Sequence, residues 1–206
     1  MTKTNLRWLR ATHMLNGSAT VGALVMIGLV LQEPARLSAP DWVIWMILII
    51  GGFHTFEEYT FPGGFVRWFN LRYFESQNEN FPLSIKKAFL TDALAFVVIM
   101  GVIALVGTRF YWLSLGGVSL MFINGAWHVL DSITRGRYSP GTLSAILLNM
   151  PLGGYIIYFY LSHGYASVTD VALAYTIGLL GHVLFYQTVR SDIQAHPEQL
   201  TRTPLA

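Results

Sequence analysis

The chain has 206 residues, of which 53% are hydrophobic and 12% are charged, and its mean hydropathy is +0.49. Soluble domains carry about 25% charged residues, so this composition is typical of a membrane protein and argues against a soluble enzyme. The net charge of +2, without a basic run, argues against a nucleic-acid partner, and the absence of cysteine excludes disulfides and thiolate metal sites.

Six apolar stretches are long enough to cross a bilayer, which requires about 20 mainly apolar residues. They cover residues 12–32, 41–60, 86–106, 110–131, 143–162 and 169–189. Turn-forming residues mark the breaks between them at Glu33-Pro34, at Phe61-Pro62-Gly63-Gly64 and at Ser139-Pro140-Gly141. The sequence therefore predicts an all-α fold, a polytopic membrane bundle of six transmembrane helices that forms a single domain over residues 1–206.

Basic residues are distributed unevenly between the two ends of these spans. One end has Lys3, Arg7, Arg10, Arg67, Arg72, Lys86, Lys87, Arg135, Arg137, Arg190 and Arg202. The other end has Arg36 and Arg109. Because loops rich in lysine and arginine stay on the cytoplasmic side, we expect both termini in the cytoplasm. The same pattern favours a retained first span over a cleaved signal peptide.

The longest loop contains a segment, residues 64–76, that mixes aromatic and basic side chains. Its members are Phe65, Trp68, Phe69, Arg72, Tyr73 and Phe74. Both classes suit the lipid headgroup layer. We interpret the segment either as an interfacial element on the cytoplasmic face or as a plain connection with aromatic anchors.

Ionisable side chains are costly inside a bilayer, so those in the predicted spans are candidates for function. With the expected orientation, the histidine, carboxylate and asparagine side chains that we select as candidates all fall in the cytoplasmic half of the membrane. They are His13, Asn16, His54, Glu57, Glu58, Asp92, Asn124, His128, Asp131, Asn149 and His182. The six helices are therefore predicted to share one polar layer.

Spacing indicates which of these residues share a helix face. His54 lies three residues before Glu57 and four before Glu58, and Asn124 precedes His128 by four. Residues three or four apart are neighbours on a helix surface. Histidines and carboxylates that come from several helices are typical of transition-metal sites in bundles.

These considerations predict a metal site with the ligands His54, Glu57, Glu58, His128 and His182. A divalent cation would neutralise carboxylates that could not otherwise stay ionised, with zinc favoured and iron as the alternative. Secondary candidates, for which structural roles compete, are His13, Asn16, Asp92, Asn124, Asp131 and Asn149. Among them, Asp131 could simply pair with Arg135.

The stretch His54-Thr-Phe-Glu57-Glu58 has the form His-x-x-Glu-Glu at the end of a predicted helix. It is accompanied by Asn124-x-x-x-His128, by Arg135-x-x-Tyr138-Ser139-Pro140-Gly141 and by His182. In these features the chain resembles the HXXEE-motif family, small bacterial integral membrane proteins without a characterised function. The resemblance covers predicted helices 2 to 6. It implies a bacterial cytoplasmic membrane and a shared site at the five predicted ligands, but no reaction.

The site favours a metal-dependent enzyme that acts on a membrane lipid or another lipophilic molecule from the cytoplasmic leaflet. One glutamate would bind the metal and the other would act as general base on a metal-bound water, so that a lipid amide or ester is hydrolysed. Besides a scaffold or interaction protein without catalysis, three alternatives remain open. One is a di-iron oxidase or hydroxylase, and another is a proton-coupled transporter. The third is a metal-free isomerase or cyclase of a terpenoid or sterol, whose aromatic pocket would be lined by Trp127, Tyr155, Tyr158 and Phe185.

Overall fold

The computed structural model describes residues 3–107 and 109–200, and all regular secondary structure within these ranges is helical. The α-helices are α1 Lys3–Gln32, α2 Pro40–Trp45, α3 Ile47–Tyr59, α4 Phe65–Trp68, α5 Ile85–Val106, α6 Tyr111–Arg135, α7 Thr142–Ser144, α8 Met150–Ser162 and α9 Val168–Ala195. The predicted all-α fold is therefore confirmed for this part of the chain. Arg202, predicted in the cytoplasmic tail, lies outside the described residues.

Four helical segments in the described part of the chain are long and apolar enough to cross a membrane. They are Thr4–Gln32 within α1, Tyr111–Arg135, Thr142–Ser162 and Val168–Ala195. The last but one joins α7 to α8 through a π-helical turn, Ala145–Asn149. The remaining two predicted spans are helical as well: residues 41–60 form α2 and α3, which are separated at Met46, and residues 86–106 lie in α5.

Local sequence explains several helix ends. Ser167 and Asp170 form a reciprocal capping box that begins α9, with N–H to oxygen distances of 2.8 and 3.1 Å. Gly136 ends α6 in the left-handed conformation, with φ of 60°, which glycine adopts without steric cost. Ser84 caps α5 by accepting a hydrogen bond from the N–H of Lys87.

Close helix packing depends on small residues. The main contacts are between α1 and α3 and between α6 and α9. A β-carbon on Gly52 of α3 would lie 2.5 Å from the carbonyl oxygen of Ala19, and one on Gly178 of α9 would lie 2.8 Å from the backbone nitrogen of Leu120. Glycine therefore allows these backbones to approach, as is common between membrane helices.

The segment 64–76 folds over one end of the bundle. α4 continues as a π-helical turn, Phe69–Tyr73, and Phe69 is 1% exposed within a cluster that also contains Tyr59, Leu83 and Val189. The Asn70 side chain donates to the Leu83 carbonyl at 2.7 Å and accepts from the Leu83 N–H at 2.8 Å. The segment is thus a packed helical cap, and several of its aromatic rings are buried against the bundle.

Candidate metal site

Three buried side chains converge at this capped end of the bundle. His54 and Glu58 lie on one face of α3, and His128 lies on α6. The Glu58 Oε1 atom is 3.6 Å from His54 Nε2 and 3.2 Å from His128 Nε2. His54 is 2% exposed, Glu58 5% and His128 0%, so the group is shielded from solvent.

Serine hydroxyls orient both imidazole rings from the side opposite to Glu58. His54 Nδ1 lies 2.9 Å from the Ser144 Oγ, and His128 Nδ1 lies 2.9 Å from the Ser139 Oγ. Metal-binding histidines are commonly held in this way, because a hydrogen bond at one ring nitrogen fixes the tautomer and the ring orientation. Each Nε2 is therefore directed into the cluster.

The ring nitrogens at the centre of the cluster have no hydrogen-bond partners in the described part of the chain. When the Ser144 hydroxyl donates to the Gly141 carbonyl at 3.1 Å, its oxygen can accept from His54 Nδ1–H, and in that tautomer the Nε2 atom has a free lone pair. Among the described residues, neither the Nε2 of His54 nor that of His128 has a hydrogen-bond partner. A histidine Nε2 lone pair that faces a buried carboxylate requires a cation or a proton between the two groups.

The separations fit one divalent metal ion. Zinc bonds to nitrogen and oxygen of about 2.0–2.2 Å place tetrahedral ligand atoms about 3.3–3.6 Å apart. The two distances from Glu58 Oε1, 3.2 and 3.6 Å, are close to this range. Two histidines and one carboxylate occur in zinc hydrolases and in iron(II) oxygenases, and this set leaves coordination positions open.

A glycine turn and aromatic rings close the cluster. Gly141 has φ of +108°, and a β-carbon there would lie 2.8 Å from His54 Cε1 and 2.9 Å from His128 Cε1. The Trp127 ring centroid is 4.7 Å from that of His128, and the Phe65 centroid is 5.8 Å from it. Only glycine fits the turn at this position, and the aromatic rings limit the access of water.

Glu57, although adjacent to Glu58, has different partners. Its carboxylate accepts the Leu143 N–H at 2.9 Å, the Ser144 N–H at 2.5 Å and the Tyr138 hydroxyl at 2.5 Å. The first N–H groups of a helix have no acceptor within the helix, so Glu57 caps α7 from a neighbouring helix. Desolvation and the Glu57 carboxylate raise the pKa of Tyr138 well above its ordinary value, so its hydroxyl stays a donor.

Residues 45–156 match the family model described as protein of unknown function with HXXEE motif. This region is more than half of the chain. The protein belongs to the HXXEE family. The match ends within α8, so it includes the cluster and the α7 cap but not the last predicted helix, to which the resemblance in sequence had extended. No curated protein and no solved structure matches this HXXEE protein.

The structure of this HXXEE protein therefore brings together three of the five predicted ligands, His54, Glu58 and His128. Glu57 uses both carboxylate oxygens in the α7 cap. His182 is half-buried on α9, where its Nδ1 lies 2.9 Å from the carbonyl oxygen of Gly178 in the same helix. Both therefore lie outside the cluster.

Two acidic secondary candidates have different surroundings. Asp131 forms an ion pair with Arg135, with an Oδ1 to Nε distance of 2.7 Å, so it has a structural partner. Asp92 on α5 interacts electrostatically with Tyr59 and with Glu58. Its Oδ2 atom is buried and has no hydrogen-bond partner in the described part of the chain. Asp92 is therefore a second carboxylate near the cluster.

The remaining secondary candidates are distributed around the site. Asn124 lies near the His54 ring, although its Oδ1 atom and the His54 Nε2 atom both lack a hydrogen-bond partner in the described part of the chain. Asn149 is buried and donates to a backbone carbonyl of α6 at 3.3 Å, which joins two helices. On α1, His13 is exposed and Asn16 is buried. Asn124 is therefore a neighbour of the cluster.

Several residues that shape the site were absent from the predicted functional set. They are Tyr138, Ser139, Gly141 and Ser144. The first three belong to the turn that carries part of the resemblance to the HXXEE family. That resemblance could have identified them as site residues. Ser144 had none, because a serine within an apolar helix is unremarkable in sequence. Of the four residues predicted to line an aromatic pocket, Trp127 and Phe185 both pack against Phe69, whereas Tyr155 and Tyr158 are 39% and 66% exposed.

Proposed function

We propose that this HXXEE protein is a metal-dependent enzyme of the bacterial cytoplasmic membrane that hydrolyses an amide or ester bond in a lipophilic substrate. The observation that carries the proposal is the convergence of ligand atoms from His54, Glu58 and His128 at separations suited to one zinc ion. Bound zinc would supply a water whose pKa is lowered to about 7 and would polarise a substrate carbonyl.

In this proposal the protein has six membrane helices with both termini in the cytoplasm. α2 and α3 together and α5, of 22 residues, would be the two spans beyond the four that meet the length and hydropathy criteria for crossing a membrane. The cluster would then lie in the cytoplasmic half of the bilayer. A substrate would reach it from the cytoplasmic leaflet.

The chain's own residues suggest how protons are handled. Glu57 is unsuited to accept a proton from the attacking water, because both of its oxygens already accept hydrogen bonds. Asp92 is the better candidate, since its unpaired Oδ2 is buried and its carboxylate interacts with Glu58. Ser139 and Ser144 keep the imidazole rings oriented.

The same donor set also suits a single iron(II) ion, which would direct the search towards oxidation. A di-iron centre has weaker support, because carboxylate-bridged sites in bundles use about four glutamates and two histidines. The described residues provide one glutamate and two histidines at the cluster.

Elemental analysis of protein purified in mild detergent without chelator tests the proposal. We expect about one zinc per chain, lost in His54→Ala and His128→Ala and retained in His163→Ala, a control at an exposed histidine. The zinc-loaded protein should release fatty acid from lipid amides or esters, measured by mass spectrometry. Well-folded protein without stoichiometric metal would overturn the metal site, and iron in place of zinc would overturn the hydrolase assignment.

A further inference from the structure

A cavity of about 500 Å³ opens at the capped end of the bundle. Its lining residues are Gly63, Gly64, Arg67, Trp68, Leu71, Arg72 and Pro140. It therefore lies between α4 with its π-helical turn and the turn that precedes α7. Both walls also contribute to the enclosure of the candidate metal site.

A single layer of residues separates this cavity from the histidines. Pro140 lines the cavity, and the next residue, Gly141, lies so near the histidines that a β-carbon on it would be within 3 Å of both the His54 and the His128 rings. On the other wall, Trp68 stacks on Phe65 with a centroid distance of 6.2 Å, and Phe65 packs against His128. A molecule in the cavity would thus lie next to the cluster.

The cavity carries an excess of positive charge. Arg67 forms an exposed ion pair with Glu79, with an Nε to Oε1 distance of 3.0 Å. The exposed Arg72 side chain has no carboxylate partner among the described residues. Arg135 and Arg137 both donate to the Arg72 carbonyl, and the buried Nε of Arg137 has no hydrogen-bond partner in the described part of the chain. Guanidinium groups bind phosphate and carboxylate oxygens with two parallel hydrogen bonds.

The opposite end of the bundle has a cavity of different character. It measures about 340 Å³ and is lined by Met26, Leu29, Asp41, Trp42, Trp45 and Leu48. Its ionisable lining residue is acidic, whereas those of the first cavity are two arginines. Of these two cavities, the one beside the histidines therefore has the cationic lining.

We propose that the cavity between α4 and Pro140 binds the anionic headgroup of an amphiphilic lipid, with Arg72 and Arg67 contacting a phosphate-type oxyanion. Trp68 and Leu71 supply apolar lining for the glycerol or acyl portion of the lipid. The inference rests on the proposed function in one respect. The bound anionic lipid is taken to be the substrate of the proposed hydrolase. Its amide or ester bond would lie beyond Pro140, on the side of the cluster.

The test measures lipid binding by native mass spectrometry on the intact protein in neutral detergent. The probes are short-chain phosphatidylglycerol, phosphatidylcholine of equal chain length and inorganic phosphate. We expect phosphatidylglycerol to bind about tenfold more tightly than phosphatidylcholine, and Arg72→Gln to weaken it by about tenfold. Arg109→Gln, an equal change of charge at an exposed arginine of the opposite end, should leave the affinity unchanged.

Each contrary outcome overturns a defined part of the proposal. Equal affinity for the two lipids, or unchanged binding in an Arg67→Gln/Arg72→Gln variant, would exclude the headgroup site. Inorganic phosphate that binds as tightly as phosphatidylglycerol would replace the lipid with a soluble anion. The same measurement on His128→Ala separates this proposal from the metal site, because lipid binding should persist there while metal is lost.

Discussion

Two neighbouring glutamates on α3 belong to different regions of this molecule. Successive residues diverge by about 100° around a helix axis, so Glu57 and Glu58 face different neighbours. Glu57 caps α7 and accepts three hydrogen bonds, from Tyr138, Leu143 and Ser144. Glu58 faces two imidazole nitrogens that have no hydrogen-bond partner in the described structure. Glu57 therefore has its hydrogen-bond donors and a structural role, whereas the adjacent Glu58 faces unpaired ring nitrogens and is the candidate metal ligand.

Ser144 connects the two regions. Its backbone N–H donates to Glu57 at 2.5 Å, and its hydroxyl oxygen contacts His54 Nδ1 at 2.9 Å. The cap therefore fixes the position of a residue that orients a candidate ligand. Disruption of the cap should act on the cluster indirectly, through the placement of α7, whereas disruption of the cluster should leave α7 in place.

The largest expected effect is that of Gly141→Ala, which should damage both regions. The new methyl group would clash with the two histidine rings, and φ of +108° is strained for alanine. We expect the free energy of unfolding to fall by about 3 kcal/mol and metal binding to be lost. Thermal unfolding in detergent and elemental analysis measure the two quantities.

Gly136→Ala is the matched control for this substitution. Gly136 also has positive φ, of 60°, but a β-carbon there would have no neighbour within 4 Å. In Gly136→Ala the free energy of unfolding should fall by only about 1 kcal/mol, because alanine is strained in this backbone conformation. Equal losses in the two variants would show that the contact with the histidines is unimportant.

The next largest effect is predicted for Glu58→Gln, which should act on the cluster alone. An amide is a far poorer metal ligand than a carboxylate, so metal affinity should fall by at least about a hundredfold. The metal-free protein should be no less stable, since an unpaired buried carboxylate is costly. Competition with a chelating dye measures the affinity. Unchanged metal affinity would remove Glu58 from the ligand set.

The sequence indicated the helical segments, and its five predicted ligands include the three residues of the cluster, but it did not separate these three from Glu57 and His182. Long apolar stretches and their turns locate the helices, and the four-residue step puts His54 and Glu58 on one face. The three-residue step from His54 also made Glu57 a predicted ligand, and the place of His182 late in the last helix made it another. The partners of these residues depend on how α3, α7 and α9 pack, and helical periodicity carries no information about that packing.

Glu57→Gln should have a smaller effect, on stability. A glutamine presents one acceptor oxygen and one NH₂ group, so either the Leu143 or the Ser144 N–H would face another donor. We expect the free energy of unfolding to fall by about 2 kcal/mol, with metal affinity changed by less than about tenfold. Glu58→Gln, measured in parallel, serves as the control. If Glu57→Gln instead abolished metal binding in folded protein, Glu57 would have to be a ligand.

The smallest effect is predicted for Tyr138→Phe, which removes one of the three hydrogen bonds to Glu57 and keeps both backbone donors. Tyr138 is 48% exposed, so water can replace its hydroxyl, and the free energy of unfolding should fall by only about 1 kcal/mol. Tyr158→Phe, at a more exposed tyrosine on α8, is the control and should be neutral. Metal affinity should be unchanged in both variants, because Leu143 and Ser144 still anchor Glu57. A loss of metal in Tyr138→Phe alone would mean that the cap and the cluster respond as one unit, and the distinction between Glu57 and Glu58 would then describe geometry and not function.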